Sequence, residues 1–236
     1  MSLVLIALLA CSSSKAYADE PESTDVRPAL FHPDGPGEYR LRFGAGLLLD
    51  ILPRSLVEAE LRQALRVAVS GRLGLPYGFS IDLAANGIVL YNEALLGVSW
   101  SVSLSKHVSM RATERFGAWY GFVPLSGFDT AGWGLLQVPG VAIGLRYGPH
   151  RFTLSADLYL TSAHRIAFGD ADVLVRVTRV AGAALGFTVE SPAFGAGSLY
   201  YAVELFYTTQ DYQLWLVFAD SQARSLYPRF LLGYAF

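Results

Sequence analysis

From residue 38 onward, apolar and polar side chains exchange places at almost every step. In residues 38–49, Tyr39, Leu41, Phe43, Ala45 and Leu47 share one parity, with Arg40 and Arg42 on the other. The next run sets Val57, Ala59, Leu61, Leu65, Val67 and Val69 against Glu58, Glu60, Arg62, Arg66 and Ser70. A period of two is the mark of a strand with two different faces, whereas a helix repeats its apolar positions at three and four. Residues 58–66 taken alone also fit a helix. Six further runs behave as the first two. They are carried by Tyr77–Leu83, Val98–Leu104, Val108–Thr113, Val141–Tyr147, Phe152–Leu160 and Leu199–Tyr207. The segment 171–190 alternates loosely, and Arg179 falls on the wrong parity, which predicts a bulge or a strand end near it.

The connections alternate in length as well. Ser105–His107, Gly148–His150 and Ser191–Gly197 are short, while 121–136, 161–170 and 208–223 are longer and rich in Gly, Ser, Thr and Asp. Through a last strand at 224–236 the count is ten, and eight or twelve are also compatible. The chain is 53% hydrophobic with a mean hydropathy of +0.36, yet no run of 18 apolar residues exists to cross a membrane as a helix. The pattern predicts an all-β fold, a transmembrane antiparallel up-and-down β-barrel of about 10 strands over 38–236. Short turns then face the periplasm and longer loops face outward. Trp100, Trp119, Tyr120, Tyr147, Tyr207, Tyr227 and Tyr234 are expected as interfacial anchors.

The N-terminus carries an apolar stretch, Leu3–Ala10, then Ala16-Tyr17-Ala18, which supplies small residues before a cleavage at Asp19. Residues 1–18 therefore read as a signal peptide, without the usual positive charge at Met1-Ser2. Leu8-Leu9-Ala10-Cys11 supports a second reading, lipidation at Cys11. Residues 19–37, with Pro21, Pro28, Pro33 and Pro36, are expected to be a disordered periplasmic lead-in.

Phe230, Leu232, Tyr234 and Phe236 place large apolar groups at alternate positions up to the last residue. This resembles the β-signal by which the bacterial outer-membrane assembly machinery recognises its substrates, over about ten residues. The resemblance implies a bacterial outer-membrane β-barrel protein, with outer-membrane lipid and that machinery as partners. A soluble β-sandwich or a calyx ending in an apolar strand is the competing fold.

The inferred lumen face holds Arg40, Arg42, Arg62, Arg66, Arg72, Arg111, Arg115, Arg146 and Arg176, against Glu58, Glu60, Asp82, Asp157 and Glu204. In a barrel this narrow, side chains can fill the interior, and mixed charges should pair across it. The expected role is structural or narrow transport, with a lumen largely filled by charged side chains and an anion preference if it conducts. A second reading is a membrane subunit of an envelope complex or an adhesin, meeting an envelope protein through the outer loops or the lead-in. A third is an outer-membrane hydrolase or acyltransferase using His164, which sits near Ser162, Asp170 and Asp172 without a motif that would make it catalytic. A formal net charge of −2 gives no reason to expect nucleic acid. Nothing in the spacing of Cys or His suggests a metal or other cofactor.

Overall fold

A computed structural model describes residues 29–53, 63–88, 91–125, 128–168, 171–175, 178–208 and 225–236. The period-two runs become strands: β1 (Leu41–Ile51), β2 (Gln63–Gly74), β3 (Phe79–Ile88), β4 (Tyr91–Ser103), β5 (Val108–Leu125), β6 (Phe128–Tyr147), β7 (His150–Phe168), β8 (Ala171–Val175), β9 (Arg179–Pro192), β10 (Ser198–Thr208) and β11 (Ser225–Ala235). All pairings are antiparallel. The sheet closes where β1 pairs β11, with Leu47 opposite Leu232, and Phe236 exchanges both main-chain hydrogen bonds with Phe43. Successive stretches of one flank of β7 pair with β8 and then β9, so these two share one place in the ring. The result is a closed up-and-down barrel of ten strands.

The irregularity expected near Arg179 lies at the join of β8 and β9. Leu160 faces Val180 but Tyr159 faces Gly182, leaving Ala181 as an extra residue turned into the interior. A second break has a simpler cause. The β6–β7 ladder passes from Gln137–Leu160 to Gly140–Asp157, skipping Val138 and Pro139, because proline has no N–H to give a ladder.

Two expectations from the sequence are corrected here. The long connections at 121–136 and 161–170 are mostly strand: β5 runs to Leu125, β6 starts at Phe128 and β7 reaches Phe168. Gly121 pairs Gly132 and Pro124 pairs Asp129, so turn-forming composition is overridden where a neighbour offers a full ladder. The lead-in is corrected too. Ala29, Leu30, His32 and Pro33 are buried, and residues 29–37 fold into one end of the barrel; residues 19–28, the leader, Cys11 and most of 208–223 lie outside the described residues.

That end also gathers the short turns, Pro76–Gly78 and those at 104–107, 148–149 and 193–197. It is the turn end; the opposite one is the loop end. At the turn end Tyr77 sits at φ 61, a left-handed conformation uncommon for a residue other than glycine.

Burial follows parity. Leu47, Val67, Leu154 and Val203 are each about half exposed, with neighbours of opposite parity facing inward. Apolar side chains in the open and arginines inside invert the arrangement of a soluble protein. A continuous apolar belt around a closed barrel is the face that hydrocarbon stabilises.

Candidate functional site

Among the described residues the interior is where polar chemistry concentrates, and it is filled in three levels. At the turn end lies the segment 29–37. It has no strand ladder, so its main-chain groups need other partners. The carboxylate of Glu190 on β9 accepts the N–H groups of Leu30, Phe31 and His32 at 2.8, 3.1 and 2.8 Å. From the opposite wall Arg72 donates to the carbonyls of His32 and Pro33, at 2.6 and 3.2 Å. Asp34 is paired with Arg146, and its Oδ2 lies 3.0 Å from His32 Nδ1. Burial works against ionisation of Asp34, but His32 and Arg146 outweigh it and hold the carboxyl well below the ordinary aspartate range.

Apolar contacts complete this plug. Leu30 packs with Tyr200 and Ala235, and Phe31 meets the edge of Tyr200 at 4.8 Å between ring centres. Gly144 makes room for it: a Cβ there would lie 2.3 Å from His32 Nε2. Beside the plug a hollow of about 240 Å³ opens between Asp34, Glu38, Arg72, Ser101 and Arg146.

The middle level is a chain of charges. Glu204 meets Arg229 at 3.4 Å, Arg229 meets Asp50 at 2.7 Å, and Asp50 also pairs with Arg66. Arg66 then reaches Asn86 Oδ1 at 2.6 Å, Asn86 donates to Glu93 at 3.1 Å, and Tyr91 O–H donates to Glu93 at 2.8 Å. These residues stand on β10, β11, β1, β2, β3 and β4 in turn, so the network runs around the wall. Arg115 with Asp157, 2.6 Å apart, and Arg72 with Asp82, 3.2 Å apart, join near neighbours in the same way. The sequence predicts charged side chains crossing the lumen; these pairs instead join strands no more than two places apart in the ring.

That level, toward the loop end, is aromatic. Trp119, Tyr91, Tyr159, Phe206 and Tyr227 form one buried cluster with Leu95, Leu136 and Val138. Tyr159 and Phe206 meet edge to face at 5.0 Å, and Arg229 lies over the Phe206 ring at 4.6 Å. Trp119 and Tyr227, expected at the membrane interface, are thus inside the barrel. Their parity is inward, and Gly134 opposite Trp119 leaves room for the indole, whose Nε1 would lie 2.4 Å from a Cβ there. Tyr120 and Tyr147 are exposed.

Of the predicted lumen residues, Arg42, Arg66 and Arg72 are buried inside, and Asp82, Arg111, Arg115, Arg146, Asp157 and Glu204 are partly buried. Arg42 holds Ser198 Oγ at 2.9 Å and the Ala235 carbonyl at 3.4 Å. Arg40 is exposed at the rim, because β1 begins one residue after it. Glu58, Glu60, Arg62 and Arg176 lie outside the described residues. Phe230, Leu232 and Phe236 are on the outer face, and Tyr234 donates its hydroxyl to the Phe194 carbonyl at 2.6 Å. His164 is buried within β7, opposite Gly134 and Val175, and is no loop residue.

Sequence reading missed Asp34, Asp50, Glu93, Arg151, Glu190 and Arg229, which carry much of the polar interior. Parity alone would have found Arg229, between outward Phe230 and Pro228 and in step with Tyr227. With these residues the interior holds eight arginines and seven acids among the described residues, so the excess of arginine expected from the sequence, nine to five, shrinks to one.

No protein-family description matches this chain, and no curated protein matches it. Among solved structures, the NanC porin is similar over 84% of this chain and 99% of its own, at 9% identity and a TM-score of 0.41. A structure described as a bacterial polysaccharide outer membrane secretin is similar over 85% and 99%, at 6% identity and a TM-score of 0.29.

Proposed function

We propose that this chain is a bacterial outer-membrane barrel with a structural or narrow-transport role, closed to solutes in its resting state. The observation that carries the reading is the filled interior. A plug hydrogen-bonded to two opposite walls, a circumferential ion-pair network and an aromatic cluster follow one another along the axis. In the ring that closes the barrel, every pair of adjacent strands is laddered, so no sheet edge is left for soluble association. The apolar belt supplies the membrane face. Signal-peptide export, β-signal recognition by the assembly machinery and turns on the periplasmic side belong to the same reading.

Planar-bilayer recording of the refolded chain tests it. The expected record is silent, or shows small flickers that grow when the aromatic cluster is opened by Phe206→Ala. Large, stable unitary conductance from the unaltered chain would replace the closed barrel with an open pore.

A further inference from the structure

The belt is not smooth. Outward positions of neighbouring strands fall into rows, because parity and register are both fixed. One row reads Val69, Ala85, Ala94, Ala118 and Leu135 across β2 to β6. Three adjacent alanines leave the wall one side chain thinner there. The row on the turn-end side carries Leu96 and Phe116, both exposed, and the row on the loop-end side carries Asn92, Tyr120 and Trp133. The alanines are thus the floor of a trough with aromatic and leucine rims. A hollow of about 800 Å³ lies over the alanines and the loop-end row, lined by Val69, Ala94, Ala118, Asn92, Tyr120 and Trp133, within the range of sites that hold small ligands.

Asn92 gives the trough a polar end. It is outward and exposed on β4, and its side chain lies across Gly87, where a Cβ would fall 2.3 Å from Asn92 Oδ1. No hydrogen bond to that amide comes from the described residues. A carboxamide against hydrocarbon is costly unless something accepts from it. Tyr120 and Trp133 stand at the same level, where amphipathic rings mark the boundary of the hydrocarbon.

We propose that the alanine trough is a lipid site: it takes one acyl chain of a glycerolipid, and the Asn92 amide donates to that chain's ester carbonyl. The chemistry fits from both ends. A hollow in a hydrocarbon-facing wall is filled by the hydrocarbon next to it, and van der Waals contact on a floor and two rims exceeds contact on a flat wall. Asn92, the amide of the loop-end row, lies where an ester carbonyl would sit, while Gln137 stands in the turn-end row opposite Phe116. The site is separate from the interior plug and network, and it rests on the membrane reading above.

Native mass spectrometry of the full chain tests the site after refolding into dimyristoyl phosphatidylcholine vesicles and transfer to mild detergent. Co-flotation with the vesicles reports the membrane reading separately. The unaltered chain should retain one lipid, and the double variant Ala94→Phe/Ala118→Phe should lose it. Ala156→Phe, outward on β7 away from the trough, should keep it. With the ether-linked analogue, which lacks the carbonyl, retention by the unaltered chain should fall to that of Asn92→Leu, and Asn92→Leu should no longer distinguish the two lipids. Floating protein that carries no lipid would overturn the site. So would equal retention by the filled trough, or a dimer that Ala94→Phe/Ala118→Phe dissolves, which would make the occupant a second copy. If the double variant does not float, the ester–ether comparison on Asn92→Leu decides alone.

Discussion

Glu190 shows how much one side chain can hold. Its two oxygens accept three consecutive main-chain N–H groups, and hydrogen bonds to an ionised group contribute about 1.5–3 kcal/mol each. Glu190→Gln keeps the shape but replaces one acceptor with a donor and removes the charge. Losing about 2 kcal/mol of docking corresponds to roughly 30-fold faster amide exchange. The expected outcome is that rise at Leu30, Phe31 and His32 with strand protection kept; unchanged exchange there would mean the apolar contacts hold the plug alone. Asp34 sets the pH dependence. Its carboxyl is depressed in the folded chain, so its contribution is fully present above the ordinary aspartate value, about pH 4, and is lost as pH falls through the depressed one. Plug protection, corrected for intrinsic exchange, should therefore be flat from about pH 7 to about pH 5 and fail only in stronger acid. Loss already between those two values would show that some other group controls docking. None of this was legible in the sequence. The plug has no alternation to read, and Glu190 stands near the end of its strand, beyond the residues whose parity was assigned a lumen role.

Among the strands, parity was the readable quantity, and length was not. The runs around Leu47, Val98 and Leu154 gave the faces correctly because each has one packed side and one apolar side. The tops of β5, β6 and β7 were misread because Gly, Thr and Asp there look like loop, while only the paired neighbour reveals strand. Those strands have 18, 20 and 19 residues, well beyond the 9–11 a tilted crossing requires, so the loop-end parts of the strands themselves reach beyond the hydrocarbon. The ends of β1 and β11 show the same limit: Asp50 and Arg229 have the right parity, but neither was read as part of the lumen face. Charge placed on the outer parity should be costly. Leu154→Arg should destabilise by about 2–4 kcal/mol near the bilayer midplane, and Ser155→Asn, its inward neighbour, should change stability far less, both read by folding titration in vesicles. Equal losses would contradict the assignment of faces. For β11, the β-signal resemblance leads to a cellular outcome. Phe236→Asp should reach the periplasm and assemble poorly, and wild-type amounts in the outer membrane would remove that role from Phe236.

For the whole molecule, the central claim is that one parity touches hydrocarbon and the other a packed interior, with little water on either. Residues 153–158 of β7 carry the cleanest alternation: Leu154, Ala156 and Leu158 are exposed, Thr153 is buried, and Ser155 and Asp157 are partly buried. Cys11 is the one native cysteine, so after Cys11→Ser each of these six positions can take a single nitroxide label in vesicle-reconstituted protein. Collision rates with oxygen, which concentrates in hydrocarbon, and with a water-soluble nickel complex then report the surroundings of each side chain. The structure predicts high oxygen and low nickel collision at 154, 156 and 158, and low collision with both at 153, 155 and 157. Strong nickel collision at the inward positions would mean an open aqueous lumen. Strong nickel collision at 154, 156 and 158 would mean that the apolar belt does not lie in a membrane.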